Sequence, residues 1–145
     1  MSRTRILVVE DNADDEFLLL RMLQRTRLKS HVDVVRDGKK ALDHLTHHEA
    51  KIEDLVAVFL DLNIPSIHGL QLLAMIRADD RLCHLPVIVM TSSNSPKDIE
   101  ECHRLGVVAY VQKPVSLANF SKAIADILPS PDDSQSARGT GGLIE

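Results

Sequence analysis

The sequence predicts a doubly wound α/β fold, in which helices cover both faces of a five-stranded parallel sheet. Four short apolar runs without alternation, residues 6–9, 55–60, 87–90 and 107–111, are typical of strands buried on both faces. A fifth run, residues 31–35, alternates more and predicts a strand near an edge. A segment of helical period follows each run, and this alternation of strands and helices favours a doubly wound sheet.

The five predicted helices cover residues 14–26, 38–47, 70–79, 96–105 and 116–128. Polar residues stand at the start of the first helix. We interpret Asn12, Asp14 and Asp15 as capping residues, because the free N–H groups and the dipole of a helix start favour such side chains.

The first and last helices carry apolar side chains at helical spacing. In the first, the side chains expected to share a face are Leu18, Leu19, Met22 and Leu23, with Phe17 and Leu20 pointing elsewhere. One set is predicted to be core, and the other is a candidate surface for a partner. In the last helix, the stripe predicted to pack in the core is Leu117, Phe120, Ile124 and Leu128.

The length of 145 residues suits one domain with a sizeable core, and we expect that domain to span residues 1–128. Residues 129–145 are rich in Ser, Gly, Pro and Asp, a composition typical of linkers. The prediction is a C-terminal tail, or an arm for which Leu143 and Ile144 are the candidate anchors.

Composition disfavours several classes of function. With 17 basic against 21 acidic residues the net charge is -4, so the chain lacks the basic surface that direct nucleic-acid binding requires. Cys83 and Cys102 do not form a CxxC pair and are expected to be free thiols. The apolar run at residues 6–9 is too short for a signal peptide or a membrane span, which indicates a cytoplasmic protein without membrane contact.

Polar residues follow the ends of four predicted strands. They are Glu10 and Asp11 after the first strand, Asp61 after the third, Thr91 with Ser92 and Ser93 after the fourth, and Lys113 with Pro114 after the fifth. The carboxyl ends of parallel strands meet at one edge of the sheet, where ligands bind. We therefore expect three carboxylates, a hydroxyl and a lysine to converge there.

This combination of residue types predicts phosphoryl chemistry. Neighbouring carboxylates repel one another unless a cation joins them, and Mg²⁺ prefers hard oxygen ligands together with phosphate oxygens. Asp61, alone at the end of the central run, is the best placed carboxylate to attack a phosphoryl group and form an aspartyl phosphate. Lys113 and Thr91 are suited to neutralise and hydrogen-bond the phosphoryl oxygens.

The motifs at these positions resemble those of the receiver domain of two-component response regulators, over about residues 4–128. They are VVED at 8–11, LDLNIP at 60–65, MTSS at 90–93 and YVQKP at 110–114. Four motifs, each at the end of a predicted strand, make a specific signal. Two segments, ALDHLTHHEAKIEDL and RADDRLCHLPVIVMTSS, resemble more closely the single-domain regulators that partner bacterial phytochromes.

The resemblance implies a flavodoxin-like sheet of strand order 2-1-3-4-5 and a role for each site residue. Asp61 would accept a phosphoryl group from a phosphohistidine on a sensor histidine kinase, and Lys113 would pair with it. Mg²⁺ would be held by Asp61, Asp11, Glu10 through water, and the backbone carbonyl of Asn63. Thr91 and Tyr110 would move on phosphorylation, and the bond from Lys113 to Pro114 would be cis.

The implied partners are the kinase, which is a phytochrome if the closer resemblance holds, and a second copy of the chain. The homodimer would form through the face of the fourth helix, fifth strand and fifth helix, with the C-terminal arm reaching across. Two positions depart from the common pattern: Glu10 replaces an aspartate, and His68 precedes Gly69 where an aspartate is usual.

Other functions remain open at this point. A relay intermediate or phosphate sink has the same motifs as an end-point switch, and a scaffold that is never phosphorylated would also keep them. A Mg²⁺-dependent aspartyl-phosphate phosphatase is disfavoured because Asn63 stands where those enzymes have a second catalytic aspartate. A zinc site on the second helix is disfavoured because nothing elsewhere completes the group His44, His47, His48 and Glu49.

Overall fold

The computed structural model describes residues 4–26, 31–47, 52–125 and 127. Several predictions fall outside this part of the chain. They concern the boundary at residue 128, the tail at 129–145 with Leu143 and Ile144, Leu128 of the last apolar stripe, and His48 and Glu49.

In the described part of the chain, five parallel strands form one sheet, as predicted. The strands are β1 (Arg5–Val9), β2 (His31–Val35), β3 (Leu55–Leu60), β4 (Val87–Thr91) and β5 (Ala109–Gln112). Their order is β2-β1-β3-β4-β5, which confirms both the doubly wound fold and the order 2-1-3-4-5. The strand with the weakest apolar pattern, β2, lies at an edge.

Each strand is followed by a helix. The helices are α1 (Ala13–Gln24), α2 (Gly38–Thr46), α3 (Gly69–Ala78), α4 (Pro96–Arg104) and α5 (Leu117–Ile124), and a short 3₁₀ helix, Ile52–Asp54, precedes β3. Most bounds differ from the predicted ones by one or two residues. The exception is the end of α5, which the structure places at Ile124, while residues 126 and 128 of the predicted helix lie outside the described part.

The start of β5 was predicted two residues too early. Gly106 adopts a positive φ of 72° and turns the chain after α4, a conformation that glycine adopts readily. The N–H of Val107 still points back to the carbonyl of Cys102 at 3.3 Å, so this residue belongs to the helix end. The ladder with β4 therefore begins at Ala109.

The side chains of the central strands point alternately to the two faces of the sheet and pack in two separate cores. On one face of the sheet, Leu7, Val58 and Val89 pack with side chains of α2, α3 and α4. On the other face, strand residues including Phe59 pack with side chains of α1 and α5, and the rings of Phe59 and Phe120 lie 5.9 Å apart between centroids. Burial on both faces explains why the strands read as unbroken apolar runs.

Two members of the predicted apolar stripes are exposed instead of buried. Leu18 is 52% exposed and Leu117 is 44% exposed, whereas Leu19, Leu23, Phe120 and Ile124 are buried as predicted. On α1 the inward stripe is completed by Leu20, which packs against the core, while Leu18 faces outward together with Phe17. The grouping of Leu18 with the core residues was therefore wrong, because the apolar segment covers more of the helix than its buried stripe.

Arg77, near the end of α3, joins segments at the amino edge of the sheet. Its guanidinium donates to the carbonyls of Leu105 and Gly106 after α4, and to those of Cys83 and Leu85 before β4. Donors in this fixed fork tie three segments together. Among the described residues, no helix is long and apolar enough to cross a membrane.

Both cysteines are free, and their surroundings differ. Cys83 is exposed, while Cys102 is completely buried and is the residue by which α4 enters the core. Burial raises the pKa of the Cys102 thiol to about 11, and the nearby carboxylates of Asp98 and Glu101 add to this shift. A thiol that is both inaccessible and protonated is a poor nucleophile.

We expect iodoacetamide to label Cys83 and leave Cys102 unmodified in the folded protein at neutral pH. Mass spectrometry of the peptides measures this, and concentrated guanidinium chloride should make both thiols reactive. The variant Cys83→Ala, which retains only the buried thiol, provides the control. Labelling of native Cys83→Ala at the rate of the unfolded chain would contradict the packing of α4 described here.

Candidate functional site

Backbone hydrogen bonds align the ends of β1, β3 and β5. The N–H of Glu10 donates to Val35 at 3.0 Å, and the N–H of Asp61 donates to Val9 at 3.1 Å. At the other side of the sheet, the N–H of Lys113 donates to Thr91 at 2.8 Å. These bonds extend the strand ladders by one residue, so the predicted site residues emerge together at the carboxyl edge.

The ammonium group of Lys113 binds three carboxylates. Its Nζ lies 2.9 Å from Glu10 Oε1, 2.8 Å from Asp61 Oδ2 and 2.8 Å from Asp15 Oδ2. A lysine ammonium has three donors, so all of them are used. The side chains of Lys113, Glu10 and Asp61 are 14%, 6% and 9% exposed, which means that this cluster is desolvated on most sides.

Burial and charge act in opposite directions on these groups. Burial raises the pKa of Glu10 to about 7, although the hydrogen bonds from Lys113 and from the N–H of Asn12 oppose the shift. For Lys113, burial disfavours the charged form, but hydrogen bonds to Asp15, Asp61 and Glu10 outweigh it and raise the pKa above its ordinary value. Lys113 is therefore a permanent cation, and the cluster depends on it for neutralisation.

Asp61 is fixed in a specific orientation. Its Oδ2 accepts from Lys113, while its Oδ1 accepts from the N–H of Asn63 at 3.0 Å. The start of α3 presses on the adjoining backbone, because a Cβ atom on Gly69 would lie 2.4 Å from Cα of Leu62 and 2.7 Å from the carbonyl oxygen of Asp61. Only glycine fits at this close approach.

His68, the unusual residue before Gly69, is the N-cap of α3. Its Nδ1 accepts a hydrogen bond from the N–H of Leu70 at 3.2 Å. An aspartate would cap the helix in the same way. The departure at this position therefore leaves the start of α3 intact.

The two residues predicted to move, Thr91 and Tyr110, lie on neighbouring strands and meet at the loop after β4. Thr91 is buried, and its hydroxyl accepts from the N–H of Ser93 at 3.3 Å. Tyr110 is half-buried and donates its hydroxyl to the carbonyl of Ser93 at 2.8 Å. Burial raises the pKa of Tyr110, so the phenol remains a donor. The peptide bond between Lys113 and Pro114 is cis, as predicted.

An open pocket of about 480 Å³ lies over the cluster. Five of the predicted site residues line it, namely Glu10, Asp11, Asp61, Asn63 and Lys113, and the rest of its lining is Asn12, Asp15, Ser92 and Pro114. Thr91 is buried and is not among the lining residues. The pocket offers carboxylate oxygens from two strand ends next to a lysine.

The donor set of this pocket fits Mg²⁺ better than a metal that requires a closed shell of side chains. Within the described residues, no group of three or more His, Cys, Asp or Glu side chains is arranged to hold a metal by itself. Mg²⁺ usually binds through one or two carboxylates and keeps several waters. Asp11, which is exposed, and Asp61 could supply those carboxylates, with Asn63 nearby for a carbonyl.

The histidines considered for zinc lie elsewhere. His44 is 3.4 Å from Asp33, which is also bound by His31 at 2.9 Å and by Arg5 at 3.2 Å. This group lines a separate pocket of about 640 Å³ beside the edge strand β2. His48 and Glu49 lie outside the described residues.

Asp15 is the site residue that sequence reasoning missed. Asn12 does cap α1, accepting from the N–H of Asp15 at 2.9 Å, so the capping interpretation was right for Asn12. It was incomplete for Asp15, whose carboxylate reaches Lys113. The available signal was its place in the first turn of α1, which starts directly after Glu10 and Asp11 and so lies at the same edge of the sheet.

Comparison with known proteins agrees with this geometry. The family described as "Response regulator receiver domain" matches residues 6–125. The solved structure of the bacteriophytochrome response regulator AtBRR is 40% identical, with a TM-score of 0.74, and the match covers 88% of this chain and 94% of AtBRR.

Two further solved structures contain a bound divalent metal ion or a phosphorylated chain. The Mn²⁺-bound form of response regulator Rcp1 is 28% identical, with a TM-score of 0.72, and the match covers 88% of this chain and 99% of the Rcp1 chain. The phosphorylated cyanobacterial phytochrome response regulator RcpA is 30% identical, with a TM-score of 0.72, over 86% of this chain and 91% of RcpA. Divalent metal binding and phosphorylation thus occur among the neighbours of this chain.

The close packing at the start of α3 makes Gly69 a test of the site. We expect Gly69→Ala to lower the free energy of unfolding by about 1–3 kcal/mol, because the added methyl group meets the backbone that carries Asp61. Chemical denaturation measures the change. Gln71→Ala, an exposed position on the same helix, is the control and should change the stability by no more than about 0.5 kcal/mol. Equal stabilities for the two variants would contradict the tight packing.

Proposed function

The chain belongs to the response regulator receiver domain family, and from that premise we propose that Asp61 accepts a phosphoryl group from a sensor histidine kinase. The observation that carries the proposal is the placement of Asp61 at the end of the central strand β3, bound to Lys113 and lining an open pocket. Receiver domains are signalling domains, and phosphorylation would switch a surface that binds other proteins.

In the proposed transfer, an oxygen of Asp61 attacks the phosphorus of a phosphohistidine. A phosphorus–oxygen bond forms, the phosphorus–nitrogen bond breaks, and its electron pair remains with the imidazole of the kinase. The hydrogen bond from Asn63 to Oδ1 fixes the carboxylate, so that its orientation is set before the donor arrives. Lys113 supplies a fixed positive charge to the phosphoryl oxygens.

Mg²⁺, held by Asp11, Asp61, the carbonyl of Asn63 and, through water, Glu10, would screen the negative charge of the pocket. The chemistry of the donors and the metal-bound neighbour Rcp1 support this assignment. The carboxylates of Glu10 and Asp11 then have two tasks, which are to attract the cation and to keep it beside Asp61.

The switch that we propose runs from Thr91 to α4. Thr91 is linked to the N–H of Ser93, and Ser93 in turn binds Tyr110 through its carbonyl. The hydroxyl of Ser93 donates to Asp98 of α4 at 2.7 Å. A movement of Thr91 toward a phosphoryl group would therefore change contacts of both β5 and α4.

Two surfaces are proposed for partners. Phe17 and Leu18 of α1 and Leu117 of α5 are large apolar side chains that are exposed, and Leu18 lines a small pocket together with Lys113, which suits docking of a kinase. The likeness to AtBRR supports a phytochrome as that kinase. The second surface is α4-β5-α5, which we propose as the homodimer face, with residues 129–145 as the arm that follows a receiver domain of residues 1–128.

The experiment is to measure the intact mass after incubation with acetyl phosphate and Mg²⁺. We expect one added phosphoryl group on the wild type and none on Asp61→Asn, because the amide is not a nucleophile for this reaction. Omitting Mg²⁺ should also prevent the addition. The matched control, Asp80→Asn, removes an exposed carboxylate far from the pocket and should behave as the wild type does.

Other results would favour other functions. Addition to Asp61→Asn would mean that another residue is the acceptor. A folded wild type that takes no phosphoryl group from acetyl phosphate or from a phosphorylated histidine kinase would favour the scaffold. Turnover of a phosphate monoester such as p-nitrophenyl phosphate would indicate the phosphatase.

A further inference from the structure

We propose that Asp15 is a positioning residue that restrains phosphorylation. It accepts a hydrogen bond from one of the three N–H donors of Lys113, and the phosphoryl group needs such a donor. The inference rests on the proposed function of Asp61. It assigns a role to a side chain of α1 that does not itself accept the phosphoryl group.

The first step of the argument is that Lys113 has no donor to spare. Its three contacts, to Glu10, Asp61 and Asp15, are all between 2.8 and 2.9 Å. An ammonium group has three N–H bonds and no acceptor. A phosphoryl oxygen can therefore be bound by Lys113 only after one of the three carboxylates has released its hydrogen bond.

The second step identifies the carboxylate that leaves. Asp61 is the acceptor, and its hydrogen bond with Lys113 helps to orient the carboxylate until the phosphoryl group is transferred. Glu10 is 6% exposed and is anchored by a second hydrogen bond, from the N–H of Asn12 at 3.1 Å. Asp15 is 36% exposed, so its carboxylate can exchange Lys113 for water at a low desolvation cost. Release of Asp15 is thus the least costly of the three.

The third step concerns charge. When Lys113 turns to the phosphoryl group, the carboxylate of Asp15 remains at the rim of the same pocket without its cation. The phosphoryl group brings further negative charge, and like charges at short distance repel. Asp15 therefore opposes the phosphorylated state in two ways, by competing for Lys113 and by repelling the anion.

The chain provides a matched control one residue away. Asp14 lies in the same first turn of α1 and is exposed, and the described part of the structure gives it no contact with Lys113. Asp14→Asn and Asp15→Asn remove the same charge from the same end of the helix. Their difference isolates the contact with Lys113 from the general effect of charge.

The test compares the initial rate of phosphorylation by acetyl phosphate with Mg²⁺, followed by intact mass. We expect Asp15→Asn to be about two- to five-fold faster than the wild type, the range for losing a partly exposed ion pair. Asp14→Asn should stay close to the wild-type rate. Asp15→Glu, which keeps the carboxylate, should restore most of the restraint.

A second readout requires no phosphodonor. In protein labelled with ¹⁵N, the ammonium protons of Lys113 should exchange with water faster in Asp15→Asn than in the wild type or in Asp14→Asn. A variant with a damaged fold would be phosphorylated more slowly. A faster rate for Asp15→Asn can therefore not be explained by misfolding.

Several results would overturn the inference. Equal rates for Asp15→Asn and Asp14→Asn would mean that only the general effect of charge is measured. A lower rate for Asp15→Asn would mean that Asp15 assists phosphorylation. Unchanged proton exchange in Asp15→Asn would mean that Asp15 does not bind Lys113 in solution. These outcomes presuppose a wild type that is phosphorylated on Asp61. A wild type that accepts no phosphoryl group would instead refute the proposed function, and the inference with it.

Discussion

The candidate site depends on one ammonium group. Lys113 is the cation that allows Glu10, Asp15 and Asp61 to lie within hydrogen-bond distance of a common point, although three carboxylates at that separation would otherwise repel one another. Its raised pKa and the raised pKa of Glu10 are two consequences of the same arrangement, in which burial penalises charge and the contacts restore it. Without the lysine, the desolvated carboxylates would have no neutralising partner in the described structure.

The parallel sheet supplies the geometry that this contact needs. Glu10, Asp61 and Lys113 follow different strands, up to 103 residues apart in the chain, and their backbone bonds to Val35, Val9 and Thr91 set them at one height. The strands themselves are fixed by burial on both faces, with Phe59 and Phe120 stacked on one side and α2, α3 and α4 packed on the other. A slip of register in β3 would reverse the facing of its residues and displace Asp61 from Lys113.

The α/β fold class and most of the site could be predicted from the sequence, because both follow from patterns that are local, whereas the strand order came from the family resemblance. Unbroken apolar runs mark buried strands, and a polar residue directly after a strand must appear at the carboxyl edge. Asp15 escaped prediction because its position in the first turn of α1 has a sufficient local explanation in capping and because, unlike Glu10 and Asp61, it does not directly follow a strand. The exposure of Leu18 and Leu117 escaped for the converse reason: helical spacing identifies a face, while only packing decides which face is inside.

The attachment of α4 explains how a change at the carboxyl edge can act on a distant surface. The N-terminal end of α4 is bound to the loop after β4 through Ser93, Ser95 and Asp98. Its C-terminal end is held by Arg77 through the carbonyls of Leu105 and Gly106. Cys102 is the one buried residue of the helix, so little apolar contact resists a small displacement of the rest. If Thr91 moves as proposed, the first end of α4 follows while the second stays fixed, and the result is a tilt of the helix.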